Sequence, residues 1–346
     1  MDVLRDQRDA TRVNRTPSNG RKIRRIPSGS GLPAAPLDMS GRAKRTLATR
    51  LRENWILSVF AAPAVLVIVM FHYYPLLGNV IAFQDYLPFL GIEGSEWVGF
   101  RNFEILFNGD PAFLNAVKNT LVITLVQTVL VFPAPIVLAL ILNSLVSERV
   151  KTWVQSIMYL PHFLSWVIVV SVFQQLLGGS GLLNNWIRQH GGDALQIIGN
   201  PDTFIGLLTS QVMWKDAGWA TILFLAVLSQ IDTDLYEASN VDGASRWRQL
   251  WHITLPGMRG IIILLLILKL GDSLTVGFEQ IILQQEAVGL DASEVIDTYV
   301  YNNGIVGGNW GVAAAVGLVK GVISVILVLG ANKLAHLFGE AGVYKK

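Results

Sequence analysis

Apolar and polar residues alternate along this chain in long blocks rather than with the short period of a soluble domain. Six apolar runs cover about 55–74, 117–142, 156–177, 204–228, 260–283 and 312–334. Each is near the roughly 20 residues that a helix needs to cross a bilayer. Pro75 ends the first, Pro133 and Pro135 lie inside the second, Pro161 stands near the start of the third, and Lys215 with Asp216 interrupts the fourth. Prolines of this kind break soluble helices, but membrane helices tolerate them where neighbours or water satisfy the freed carbonyls. The pattern predicts an all-α membrane protein with six transmembrane helices over 55–346.

Residues 1–54 are a different material, rich in Arg, Lys, Ser, Pro and Gly and poor in large apolar side chains. Such a segment does not pack a core and is expected to be a disordered, solvated tail; a lipid-surface anchor and a phosphorylation target are the functional alternatives. Arg24-Arg25 is not followed by an apolar stretch, and the first apolar run is long enough to span, so no export signal or cleavable signal peptide is expected. With 52% apolar and 15% charged residues the chain departs from soluble composition. It has no cysteine, which removes disulfides and thiol chemistry.

The net charge of +2 says less than its distribution. Thirteen Lys and Arg residues precede Trp55. The connections after the second and fourth runs hold Arg149, Lys151, Arg246, Arg248 and Arg259, and the C-terminal end holds Lys333, Lys345 and Lys346. The other connections hold only Arg101 and Arg188, with acids such as Asp85, Glu93, Glu96, Asp110, Glu286, Asp291, Glu294 and Asp297. By the positive-inside rule both termini and the 232–256 connection are cytoplasmic. Trp97, Trp186 and Trp310 fall near span ends, where tryptophan commonly anchors a helix at the lipid interface.

The 232–256 connection, DTDLYEASNVDGASRWRQLWHITLP, does not read as a linker. Asp234 and Glu237 have the spacing of a capping box. Asp232 and Asp234 at the helix start, with Arg246 and Arg248 downstream, suit the helix dipole. Ala238, Ser239, Gly243, Ala244 and Ser245 leave one side almost bare for close approach. Gly243 suggests a sharp turn with positive φ between two short helices. Pro256 suits the first turn of the helix that follows.

The stretch resembles the EAA loop of the membrane subunits of bacterial ATP-binding-cassette (ABC) importers: Glu-Ala-Ala, three residues, Gly, nine residues, then Ile-x-Leu-Pro. Glu237, Ala238, Gly243, Ile253, Leu255 and Pro256 match, and Ser239 replaces the third small residue. YYPLLGNVIAFQDY at 73–86, VGFRNF at 98–103, YLPHFLSWVIV at 159–169 and GFEQI at 277–281 are similar to the oligosaccharide and multiple-sugar branch. The resemblance implies a type I importer permease (MetI-like) fold in the bacterial cytoplasmic membrane. It also implies a second homologous permease subunit, two ATPase subunits that bind ATP and Mg, and an extracytoplasmic sugar-binding protein. Glu237, Ala238, Ser239, Asp242, Gly243, Ala244, Ile253, Leu255 and Pro256 would then form the ATPase-coupling loop, and sugar import would be driven from another chain.

The chain itself carries no GxxxxGK[ST] phosphate loop and no HExxH. Its histidines, His72, His162, His190, His252 and His336, are scattered, and no nucleophile pairs with a base, so neither a metal, a cofactor nor a catalytic site is assigned. What remains is polar chemistry inside the spans, where it is costly and faces another helix or a water-filled path. Gln127, Gln175, Gln211, Trp214, Asp216, Asp272, Glu279 and Gln280 are candidates for a substrate path, and helical spacing places Lys269 with Asp272, or Asp272 with Gln280, near one face. A rival reading from another class, an ion-coupled secondary transporter, would use Lys215, Asp216, Asp272 and Glu279 as a proton relay. The lack of an evident internal repeat counts against it.

Overall fold

The computed structural model describes residues 55–337 apart from 146, together with 339, 342 and 344. The predicted tail, 1–54, lies outside the described residues. Two units divide the chain, Met1–Val65 and Leu66–Lys346, and the second holds every element described below except the start of the first helix.

Among the described residues, five helical stretches are long and apolar enough to cross a membrane: Ser58–Phe83, Pro111–Asn143, Trp166–Gln189, Arg246–Gly271 and Trp310–Leu337. A sixth, Pro201–Leu228, meets the same standard only together with Thr233–Val241, from which it is bent by 71°. Lys215 and Asp216 are what dilute it.

In the first span, α1 (Trp55–Ile68) continues past Pro75 through a wide turn at Val69–Tyr73 and tight turns to Phe83. Pro75 does not end the span as expected, because it occupies the first turn of the short helix Tyr74–Leu76, where a missing N–H costs little. Beyond it, β1 (Gln84–Asp85) pairs antiparallel with β2 (Glu96–Trp97), and the buried Asn102 donates to the carbonyls of Ala82 and Gln84 at 3.0 and 2.8 Å.

The second span begins earlier than its apolar run. Asp110 caps α2 (Pro111–Leu130) by accepting from the Phe113 N–H at 2.8 Å. Pro133 then opens α3 (Pro133–Asn143) after a two-residue interruption.

The third run is the first real departure. Residues 156–159 belong to the amphipathic α4 (Glu148–Tyr159), a tight turn spans Leu160–Phe163, and the crossing stretch starts only at Trp166, with α5 (Trp166–Leu177) as its first helix. Pro161 removes a donor in that turn, and Ser165 restarts the helix as its N-cap. The short α6 (Leu182–Gln189), which carries the exposed Trp186, follows.

The fifth run departs further. α10 (Leu255–Gly271) stops at Gly271, residues 272–277 are irregular, and α11 (Phe278–Val288) begins after Gly277 at φ +58°. Asp272 and Gln280 therefore sit on different elements, and the expectation that they share a helical face is wrong. The short α12 (Ile296–Val300) leads to α13 (Trp310–Leu337).

The core is organised around α7 (Pro201–Leu228), which packs most extensively on α3 and also on α10. Ala139, Phe224, Leu228 and Met258 join these three helices at one end. Ile123, Phe204, Leu208, Val276, Ile281 and Val295 join α2 and α7 to the broken fifth segment. Phe113, Ala116, Leu274, Ile296, Tyr299 and Val316 tie α2 to α12 and α13. At Gly218 a Cβ would stand 2.1 Å from the Met158 carbonyl oxygen, so glycine is what lets α4 lie on α7.

Candidate functional site

The segment that leaves α7 folds as a helical hairpin. α8 (Thr233–Val241) is capped by Asp232, whose carboxylate accepts from the Asp234 N–H at 3.0 Å. The capping box expected at Asp234 and Glu237 is therefore displaced, because the earlier acid of the DTD triplet takes the cap. Gly243 turns the chain at φ +71°, as its position suggested, and α9 (Arg246–Gln249) starts from Ser245. A wide turn, Leu250–Thr254, carries the chain into α10, with Pro256 in that helix's first turn. Glu237, Ala238, Asp242 and Gly243 are exposed, Ser239, Ala244, Ile253 and Leu255 are half-buried, and Pro256 is exposed. Glu237 makes no hydrogen bond or ion pair among the described residues. Around it the hairpin exposes Leu235, Val241, Trp247 and Trp251, with Val241 at 88%. The hairpin thus carries, on its exposed positions, a carboxylate without a partner among the described residues, small residues and large apolar side chains.

Within the spans the polar candidates separate into distinct groups. Gln211 and Gln280 come together with Gln284, which had not been singled out. Gln211 Oε1 accepts from Gln280 Nε2 at 2.7 Å and from Gln284 Nε2 at 3.1 Å, and Gln211 Nε2 donates to Gln284 Oε1 at 3.2 Å. Gln280 Nε2 also donates to the Leu208 carbonyl at 3.0 Å. All three side chains are buried, so this amide cluster fastens α11 to α7. Gln284 and Glu286 also border a cavity of about 350 Å³ with Gln174, Ile198 and Gly199.

Lys215 and Asp216 take a second role. Lys215 Nζ donates to the carbonyls of His162 and Leu164 at 2.6 and 2.7 Å and lies 5.5 Å from the Trp166 ring centre. These are the carbonyls left open by the turn after α4. A charged donor on two such acceptors is the strong kind of hydrogen bond, and the indole face adds a cation–π contact. Asp216 Oδ1 lies 2.9 Å from His162 Nδ1. Lys269 lies within electrostatic reach of Asp272 and Asp216. Asp272, Glu279 and Gln175 are exposed, Trp214 meets Phe173 edge-on at 5.9 Å, and Gln127 is buried on α2. No hydrogen bond among the described residues links Lys215, Asp216, Asp272 and Glu279 into the chain a proton relay needs.

Two further groups escaped sequence reasoning. Lys320, inside α13, forms an ion pair with Asp297, whose Oδ2 is buried without a partner among the described residues. Asp297 is thus a span partner rather than a loop acid. Glu294, also counted as a loop acid, is buried and accepts from Asn302 Nδ2 at 3.2 Å. Burial pushes its carboxyl above the usual range, the Asn302 hydrogen bond opposes that, and the nearby Asp110 adds to it.

Comparison with known proteins finds relatives over most of the chain. Residues 131–337 match the family described as "Binding-protein-dependent transport system inner membrane component", a stretch that contains the hairpin and α3 to α13. The chain is 45% identical over 302 residues to the polygalacturonan/rhamnogalacturonan transport system permease protein YteP of Bacillus subtilis (strain 168), covering 87% of this chain and 94% of that protein. It is 40% identical over 311 residues to protein LplB of the same organism, covering 90% and 97%. Among solved structures, a chain of a bacterial alginate ABC transporter in complex with an alginate pentasaccharide-bound periplasmic protein superposes with a TM-score of 0.78. That chain is 34% identical, and the match covers 86% of this chain and 100% of that one.

Proposed function

We propose a function from this premise: the chain belongs to the binding-protein-dependent transport system inner membrane components. It is the multi-pass permease subunit of an ABC importer that moves an oligosaccharide into the cytoplasm. The observation that carries the reading is the 232–256 hairpin, which leaves Glu237, Ala238 and Gly243 exposed and runs through Pro256 straight into α10. A surface of that form can seat in a cleft of an ATPase subunit, and closure of two ATPases around ATP then moves α10 through it. The charge distribution supports a cytoplasmic position for the hairpin and both termini, within reach of such a partner. Names of relatives, which cite polygalacturonan, rhamnogalacturonan and arabinooligosaccharides, support a plant-polysaccharide fragment as substrate. A second homologous permease subunit completes the path. The half-buried Asp216 and the exposed Asp272, Glu279 and Trp214 are the candidates to face it, while the buried Gln211 and Gln280 support the wall.

The test is a mild-detergent purification of the chain at native abundance with mass spectrometry of its partners. An ATPase with a phosphate-binding loop and a second permease bearing its own EAA-like loop are expected. A chain that comes down alone after crosslinking, with uptake that survives ATP depletion and collapses with the proton gradient, sinks the reading.

A further inference from the structure

The third position of the Glu-Ala-small signature here carries a hydroxyl, and the structure gives that hydroxyl a partner. Ser239 Oγ donates to the Tyr236 carbonyl at 2.8 Å and accepts from Gln249 Nε2 at 2.9 Å. The same Gln249 amide donates to Asn240 Oδ1 at 2.7 Å. One turn back along α8, the Tyr236 hydroxyl lies 2.9 Å from Thr254 Oγ1, on a side chain only 7% exposed. Tyr236, Ser239 and Asn240 stand at i, i+3 and i+4, so they share one face of α8. Gln249 and Thr254 lie at the two ends of the wide turn that begins the fifth span. α8 is therefore cross-braced at two points to the segment that leads into α10, at the end of α9 and at the end of the wide turn, while Glu237, Ala238 and Val241 remain exposed.

We infer that Gln249, seated on Ser239 and Asn240, is a positioning residue that makes the coupling helix and the foot of the fifth span move as one rigid lever. This rests on the proposed coupling role of the hairpin. Gly243 at φ +71° is the natural hinge between α8 and α9. Without the brace, a push on α8 bends the hairpin at Gly243 before it reaches α10. The ATPase still docks, since its contact face is untouched, but its stroke is lost in the bend.

The experiment uses the whole transporter in proteoliposomes with its binding protein and substrate. It compares Gln249→Ala, Gln249→Glu, Ser239→Ala and the pair Ser239→Ala with Gln249→Ala. Gln249→Glu keeps the size and removes the donors. The readout is substrate moved per ATP hydrolysed, alongside the amount of ATPase that co-purifies. Both Gln249 variants are expected to retain the ATPase and to lose coupling about three- to tenfold, the worth of one or two hydrogen bonds. The double variant is expected to lose no more than Gln249→Ala alone, because the two groups act through one contact.

Because the chain has no cysteine, spin labels at Val241 and Trp251, both well exposed, report the hairpin's rigidity directly. Their distance distribution is expected to broaden in Gln249→Ala. Unchanged coupling with an unchanged distribution overturns the brace, as do additive losses in the double variant. Gly243→Asp is the control for the underlying reading. If it uncouples and Gln249→Ala does not, only the brace is wrong; if Gly243→Asp stays coupled, the lever and the coupling role fall together.

Discussion

His162 and Asp216 meet across 54 residues of sequence, with Nδ1 of one 2.9 Å from Oδ1 of the other. The imidazole also lies flat on Trp219, ring centres 4.7 Å apart and planes within 4°. Lys215, next to Asp216, holds the backbone of the same turn through the His162 and Leu164 carbonyls. One stretch of α7 thereby clamps the junction between α4 and α5. The two charges that make the fourth apolar run look defective are what secure the break in the third.

Asp216→Ala is expected to lower the stability of the purified transporter by about 0.5–2 kcal/mol, the usual worth of an interhelical hydrogen bond in a membrane protein. Asp216→Asn, which keeps an acceptor oxygen for the imidazole, should lose much less. Thermal unfolding in one detergent measures both. An alanine variant as stable as the parent would mean that the contact holds nothing.

The amide cluster makes a sharper stability prediction. Gln211 Oε1 accepts from both Gln280 and Gln284. Gln211→Leu strips these buried donors of their shared acceptor, at a cost of about 1–3 kcal/mol. Replacing all three glutamines by leucine removes donors and acceptor together, so most of that loss should return. Denaturant unfolding of the two variants decides the matter; a triple variant worse than the single one would show that the cluster is valued for its shape rather than its pairing.

Much of this architecture is legible in the sequence, and the failures share one cause. The fourth and sixth runs, read as 204–228 and 312–334, lie within three residues of the helices Pro201–Leu228 and Trp310–Leu337. The turn at Gly243 and the place of Pro256 also follow from residue chemistry. Breaks inside apolar stretches do not, because a broken helix and a straight one have the same hydropathy. Pro161 marks one break, and Gly271-Asp272-Ser273 and Gly277 bracket the other, but membrane helices tolerate glycine, so the apolar run alone does not fix that α10 ends at Gly271 and the chain restarts at Phe278. Pairings across the bundle have no period either. Lys320 sits in the most apolar of the spans, and its partner Asp297 lies 23 residues upstream in a segment that reads as a loop.

Glu294 supplies a pH dependence of definite sign. Its carboxyl is raised above the usual 4.5, chiefly by burial, with Asn302 opposing and Asp110 adding. The folded protein thus holds this proton more tightly than the unfolded chain, so protonation favours the fold. That contribution is fully present below pH 4.5 and is lost as pH rises through the folded value. Glu294→Gln removes the penalty and keeps an acceptor for Asn302. It should be more stable than the parent at neutral pH, with the difference vanishing below about pH 4.5. Unfolding midpoints across pH 4 to 8 test this; a glutamine variant less stable at neutral pH would mean that the charge is held by something stronger than Asn302.

Gly243 separates backbone from surface charge in the coupling hairpin. A Cβ there would meet nothing within 4 Å, so substitution acts through φ +71° and through what the new side chain shows to a partner. Left-handed backbone costs an ordinary L-residue about 1–2 kcal/mol, while Asn and Asp visit it more readily. Gly243→Asn should therefore keep most uptake, Gly243→Ala should lose more, and all variants should accumulate in the membrane because the site is exposed. Gly243→Asp shares the backbone tolerance of Asn but adds a second negative charge beside Asp242 on the outward face. Uptake by that variant is expected to fall furthest while ATP hydrolysis continues, a separation that membrane abundance, uptake and hydrolysis measured together would show. Equal uptake by the Asn and Asp variants would mean that the turn matters and the surface does not. Normal uptake by Gly243→Asp at normal abundance would remove the hairpin from the coupling path.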